Sequence, residues 1–337
     1  MSRHVIAKSR SRSRQTLDDL SLRSPNSSKF RYGEQKSLFP MTPSVILAVL
    51  LILAWSTPAQ ADGVPISPDS WRRAWNWDPF ILFNFTVLAW IYIQGLTRLW
   101  RNAGTGRGVS RVQAAAWCAS WAVLLVLLIS PLDALAEQLS SAHMIQHILI
   151  MDLAAPLFII GSPALVVTWG LPRDWRPWMR RTPLTAVQLW HPALIWLLYA
   201  ATLWLWHLPV LYQAALRDLL VHDAQHLSFF IISCLFWRLL LAPHGQRRLH
   251  PALAIPFLFT TALHATLLGI FMALAPQPWY GDYAETTSIW GLSPLEDQQL
   301  AGLIMWVPAC LIYPTAAVAL FGVWLSNPRP STVTMNP

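Results

Sequence analysis

Beyond about residue 70 the chain alternates long apolar runs with short polar links almost to its end. Seven runs lie near 79–97, 112–130, 143–170, 190–207, 221–241, 252–275 and 298–325. A hydrocarbon core about 30 Å thick takes roughly 20 helical residues to cross, and each run is of that order or longer. In lipid every backbone N–H and C=O must be satisfied within the protein, which favours helices for runs of this length. The pattern therefore predicts an all-α, polytopic membrane protein with seven transmembrane helices. The third and seventh runs are long and are expected to tilt or to extend beyond the core. No internal repeat is evident.

What precedes the bundle has a different character. Residues 1–40 form a basic arm, SRHVIAKSRSRSRQ at its start, with too little apolar content to fold alone. Ser44 to Trp55 is a short apolar core that leads to Ala59-Gln60-Ala61. Residues 41–61 thus read as a signal peptide cut after Ala61, or as an uncleaved anchor helix. The bundle is expected over 70–326, with a short cytoplasmic tail at 327–337.

Composition agrees with the pattern. Hydrophobic residues make up 55% of the 337 and charged ones only 12%, with a mean hydropathy of +0.41. This is a lipid-embedded composition. The formal net charge of +8 gives no reason to expect nucleic acid as a partner, because the basic residues sit in the arm and in short loops. Arg98, Arg101, Arg107 and Arg111 follow the first run, Arg173, Arg176, Arg180 and Arg181 the third, and Arg247 and Arg248 the fifth. The alternate loops carry Asp133, Glu137, Asp282, Glu285, Glu296 and Asp297. Basic loops stay inside, so the mature N-terminus is expected in the periplasm and the C-terminus in the cytoplasm. Trp71, Trp75, Trp77, Trp279 and Trp290 would then sit in the outer aromatic belt. Cys118, Cys234 and Cys310 lie in apolar runs without CxxC spacing, so they read as small core residues.

The chemistry collects at the outer end. Of ten histidines, His143, His147, His207, His222 and His226 all fall at that edge, and ionisable or ligating groups at membrane depth mark function. His143/His147 and His222/His226 are i,i+4 pairs, so each pair shares one helix face with Cβ atoms about 6 Å apart. Two imidazoles so placed ligate one ion, and a second helix completes the shell. Met151 continues the His143–His147 stripe, and imidazole with thioether suits copper, Cu(I) above all. Asp78, Asp133 and Asp297 would orient or support these groups, while His264, at mid-membrane, reads as a relay or an interhelical hydrogen bond. Plainer readings stand beside these. Asp78 next to Pro79 suits a helix cap, Asp297 suits a helix dipole, and Met151 suits packing. Neither histidine box is HExxH: the first has no acid, and the second places the shorter Asp223 there, so a zincin mechanism is not indicated.

Several motifs occur in order: Trp75-Asn76-Trp77-Asp78-Pro79, Ser130-Pro131-Leu132-Asp133, His143-Met144-Ile145-Gln146-His147, Trp206-His207-Leu208-Pro209, His222-Asp223-Ala224-Gln225-His226 with Phe236-Trp237, and the run from Ser293 to Trp306. In this series the chain resembles the multi-span CtaG family of cytochrome c oxidase assembly factors, over about residues 70–326. The resemblance implies a non-enzymatic factor of the bacterial inner (plasma) membrane that matures a haem–copper oxidase. Its partners would be oxidase subunits and a periplasmic copper donor, with copper as the metal. Two rival readings use the same histidines: a metal-free scaffold that docks oxidase subunits, and a haem-binding redox protein.

Overall fold

Proline opens most of the helices. Pro79, Pro131, Pro163, Pro192, Pro209, Pro251 and Pro294 each take a first helical position, where the absent N–H removes no hydrogen bond. The computed structural model describes residues 66–171, 191–242 and 248–326. The expected arm, signal or anchor segment and tail lie outside the described residues, as do Arg173, Arg176, Arg180, Arg181 and Arg247.

The described helices are α1 (Pro79–Ala103), α2 (Arg111–Ile129), α3 (Pro131–Ala136), α4 (Ser140–Ile148), α5 (Ala155–Ile160), α6 (Pro163–Gly170), α7 (Pro192–Trp206), α8 (Pro209–Arg217), α9 (Leu219–Leu241), α10 (Pro251–Ala273) and α11 (Pro294–Ser326). A π-helical segment, Leu149–Ala154, joins α4 to α5 without interruption. Among the described residues six helical stretches are long and apolar enough to cross a membrane, and the bent pair α7–α8, counted as one span, brings the number to seven. The protein is all-α and polytopic, as its hydropathy pattern requires.

Two spans depart from simple rods. The third run ends as a continuous helix at Ile160 and restarts at Pro163. Between them Ser162 adopts a left-handed conformation, φ 51°, and the following proline disfavours helical backbone at that position. In the fourth run α7 has 15 residues, about 22 Å at 1.5 Å per residue, which is short of a full crossing. After His207 and Leu208 the chain turns by 70° into α8.

Small residues bring the helices close. A Cβ on Gly302 would lie 2.5 Å from the Ala273 backbone nitrogen and 2.6 Å from the Gly269 carbonyl oxygen, so α10 and α11 pack backbone to backbone. Such contacts replace the hydrophobic driving force that lipid cannot supply between helices. The core is aromatic and aliphatic, with Tyr199, Phe229, Phe236, Leu258 and Tyr313 almost fully buried. Phe83, Phe259, Leu311 and Val318 project outward. The cysteines divide: Cys234 is buried, but Cys118 and Cys310 are exposed on the bundle's outside. Cys118 and Cys310 are therefore not core residues, because in a span the lipid-facing side is as apolar as the interior and hydropathy alone does not separate the two.

Candidate metal centre

The centre is built on the first turns of α4 and α9 and on the end of α7. Asp218 caps α9, accepting from the N–H groups of Leu220 at 2.9 Å and Val221 at 3.1 Å, and so fixes the turns that carry His222, Gln225 and His226. α4 has Leu139 at its N-cap and no side-chain cap of its own. The buried Asp297 of α11 takes that role, accepting from Ser140 N–H at 2.6 Å and Ser141 N–H at 3.2 Å. The Ser141 hydroxyl donates to the same carboxylate at 2.5 Å. His207 closes α7, its Nδ1 donating to the Leu203 carbonyl at 2.7 Å, which leaves Nε2 as the nitrogen with the lone pair.

Three imidazoles converge. His143, His147 and His226 each offer one ring nitrogen, and these atoms all lie within 4.8 Å of one another. Ring centroids are 4.3 Å apart for His143–His147, 5.3 Å for His147–His226 and 5.9 Å for His143–His226. His222 stands 4.3 Å from His226, and His207 6.4 Å from His147. His143, His147, His207 and His226 are buried, at 1%, 2%, 3% and 7% exposure, whereas His222 is half-buried.

The hydrogen-bond count of this cluster is low. Among the described residues, both ring nitrogens of His147 and the Nε2 atoms of His207, His222 and His226 have no hydrogen-bond partner. Buried polar atoms are otherwise nearly always paired, and unpaired ones cost roughly 1–3 kcal/mol each. A cation is the group that would satisfy several of them together. His143 is held by Gln225, whose Oε1 lies 3.2 Å from its Nε2. With Nε2–H donating there, Nδ1 keeps the lone pair.

The acids take supporting places. Asp133 is half-buried and accepts from Gln146 Nε2 at 3.0 Å and Asn76 Nδ2 at 3.4 Å. It therefore steadies α4 beside His147. Burial pushes its carboxyl up to about 7, and nearby Glu137 and Asp223 push in the same direction, against the pull of those two amides. Burial also raises Glu137. Asp78 caps α1, accepting from Phe80 N–H at 2.6 Å and Ile81 N–H at 3.4 Å. Met151 belongs to the apolar core, and its carbonyl accepts from Trp237 Nε1 at 2.9 Å. Met151 lies inside the π segment that begins at Leu149, which changes the face each later residue presents. His264 lies elsewhere in the bundle, with its ring edge-on to Trp196 at 5.5 Å.

Three residues of this region carry more than the sequence reading gave them. Gln225 sits inside the second histidine box and was legible as a polar residue on a buried helix. Tyr212 lies 5.1 Å from His143, with no motif to announce it. Asp152 accepts from the Tyr313 hydroxyl at 2.9 Å, and Tyr313 pairs with the Tyr199 hydroxyl at 2.7 Å. A lone acid within an apolar run was the available signal for Asp152.

Comparison with known proteins bears on the same bundle. A family model described as cytochrome c oxidase caa3 assembly factor matches residues 90–327. The chain is 23% identical over 262 residues to a protein of Mycobacterium leprae (strain TN) described as uncharacterized, covering 74% of this chain and 39% of that one. It is 26% identical over 267 residues to a similarly described protein of Mycobacterium bovis (strain ATCC BAA-935 / AF2122/97), covering 76% of this chain and 40% of that one. The figures for a Mycobacterium tuberculosis (strain CDC 1551 / Oshkosh) protein are the same. The chain thus spans well under half the length of these curated relatives. No solved structure matches it.

Proposed function

The chain belongs to the cytochrome c oxidase caa3 assembly factor family, and from that premise we propose that it serves oxidase maturation by holding copper transiently at its imidazole centre. The observation that carries this reading is the set of ring nitrogens of His143, His147 and His226 within 4.8 Å of one another. Three donors around one ion at about 2 Å per bond sit roughly 3.5 Å apart, so modest side-chain movement closes the set. His222 and His207 stand ready as further ligands. Neutral imidazoles without a thiolate or a direct carboxylate suit Cu(I) better than hard cations.

Copper is cargo in this reading, and no turnover is involved. A carrier has to release its ion, and a centre with a half-buried member at its rim is suited to exchange. The centre faces the periplasm, with the mature N-terminus on that side and the C-terminus in the cytoplasm. Oxidase subunits receive the metal and a periplasmic donor supplies it. Asp297 and Gln225 set the positions of the helices and rings, and Asp133 braces α4 through Gln146.

The test is copper content under anaerobic reductant, measured on the purified wild type and on the His143→Ala/His147→Ala variant. Stoichiometric copper in the wild type and its loss in the variant is the expected result. Equal content in both would remove these residues as ligands. Cells carrying the variant are expected to retain oxidase polypeptides that lack copper. A scaffold would instead lose the polypeptides, and a haem carrier would show a Soret band on purification.

A further inference from the structure

The segment that joins α4 to α5 is wider than an α-helix for a reason written in the sequence. The ring of a proline inside a helix clashes with the carbonyl four residues back and brings no N–H of its own. For Pro156 that carbonyl belongs to Asp152. The chain widens into a π turn instead. The N–H of Ala155 donates to the Ile150 carbonyl, five residues back, where an α-turn would send it to Met151. In the wider register the Met151 carbonyl falls to residue 156, which is proline and has nothing to donate.

That carbonyl is met from α9. Trp237 Nε1 donates to it at 2.9 Å in the buried core. Trp237 follows His226 by eleven residues, about three full turns, so the two lie on one face of α9. Other spans grip the same segment. The Ser120 hydroxyl of α2 donates to the Ala154 carbonyl at 2.7 Å. The Tyr313 hydroxyl of α11 donates to the Asp152 carboxylate at 2.9 Å, and Tyr199 of α7 pairs with Tyr313 at 2.7 Å. Toward the centre, the His147 ring meets Phe229 of α9 at 4.6 Å.

We infer that the π turn, opened by Pro156 and pinned by Trp237, is the positioning device that aims His143 and His147 at His226. Its purpose rests on the copper reading above; its geometry does not. The turn takes up one residue more than an α-helix would. Closing it would rotate α4 against α5 by about 100°, one residue's share of a 3.6-residue turn. Ala155 and Ile159 hold α5 in the core, so the rotation would fall on α4 and carry its imidazoles off the face of α9. Trp237 ligates nothing. It acts through the Met151 backbone, as a positioning residue borne by the same helix as His226.

The test is the Pro156→Ala/Trp237→Phe variant of the full-length protein in detergent. It returns an N–H at 156 for the Asp152 carbonyl and frees the Met151 carbonyl for Ala155, so an α-turn there has its hydrogen bonds satisfied. Titration with Cu(I) against a chelator is expected to show affinity lower by at least about 10-fold, and X-ray absorption to count fewer imidazoles on the metal. A second readout needs no metal. His143 and His222, with ring centroids 5.4 Å apart, are both replaced by cysteine, and Cys118, Cys234 and Cys310 by serine. A short bis-maleimide is expected to join α4 to α9 in this background and to fail once Pro156→Ala/Trp237→Phe is added. A double variant that only melts lower, with affinity, imidazole count and cross-linking as before, would overturn the positioning role. A wild type that takes up no copper would overturn the copper reading, and the cross-link would still decide the register. Pro156→Ala alone, which removes no hydrogen bond, gives a smaller loss in the same direction if the double variant does not fold, and no loss in either readout would overturn the inference.

Discussion

The carboxylate of Asp297, in the first turn of α11, accepts a 2.6 Å hydrogen bond from the backbone N–H of Ser140, the first residue of α4. The cap of α4 is thus supplied by another span, and that span is fixed to the helix bearing His143 and His147. Removing the carboxylate would leave the N–H groups of Ser140 and Ser141 buried without partners, at roughly 1–3 kcal/mol each. Asp297→Ala is therefore expected to destabilise the bundle by about 3 kcal/mol, read as a lower thermal midpoint in detergent. Asp297→Asn, which keeps one acceptor oxygen, should fall between. An alanine variant that melts with the wild type would show that α4 does not depend on this cap.

The α10–α11 crossing supports a paired test. Gly302→Ala places a methyl group 2.5 Å from the Ala273 nitrogen, and backbone cannot yield as a flexible side chain does. Overpacking of this kind costs about 1–3 kcal/mol. Gly322, on the same helix, has nothing within 4 Å of the added Cβ, so Gly322→Ala should change stability by less than about 0.5 kcal/mol. Thermal midpoints of the two variants in one detergent give the comparison, and similar losses in both would argue against a close crossing.

The helices were largely legible because hydropathy reports membrane crossing directly. Its resolution ends where local backbone chemistry takes over. Ser162-Pro163 breaks a run that reads as one span, and His207-Leu208-Pro209 turns another by 70°. At the centre, the i,i+4 spacing was enough to pair His143 with His147 and His222 with His226. Convergence of the pairs depends on how α4 and α9 rotate against each other, which spacing along one helix does not encode. The role of Asp297 was hidden for the same reason. Its place near the start of α11 suggested a charge that favours the dipole of its own helix, while the N–H groups it serves are more than 150 residues away in sequence. Met151 continues the His143–His147 stripe by α-helical count but lies inside a π segment, where that period does not hold.

Gln225 is expected to matter to metal affinity although its role is to hold His143 rather than to ligate. Its Oε1 fixes the His143 ring through Nε2, and partners that orient a ligating imidazole typically affect metal affinity by about 10–100-fold. Gln225→Leu keeps the bulk and removes the acceptor. On the copper reading, a competition titration against a Cu(I) chelator should show at least a 10-fold weaker complex with unchanged stoichiometry. Gln225→Glu, which restores an acceptor oxygen, should recover most of the loss. Wild-type affinity in the leucine variant would mean that the ring is held by its packing alone.

Asp133 gives the protein a pH dependence with a definite sign. Burial, with Glu137 and Asp223 nearby, raises its carboxyl from an ordinary 3.8 to about 7. Between those values the folded protein holds a proton that the unfolded chain has released, so folding is favoured by acid. This contribution is fully present below pH 3.8 and is lost as pH rises through about 7. Asp133→Asn keeps an acceptor for Gln146 and removes this titration, so the comparison of the two proteins isolates it. The wild type should lose stability relative to the asparagine variant as pH rises from 5 to 8, read as a gap in melting temperature that widens toward pH 8. A gap that stays constant over the interval would show that Asp133 does not titrate there in the folded protein.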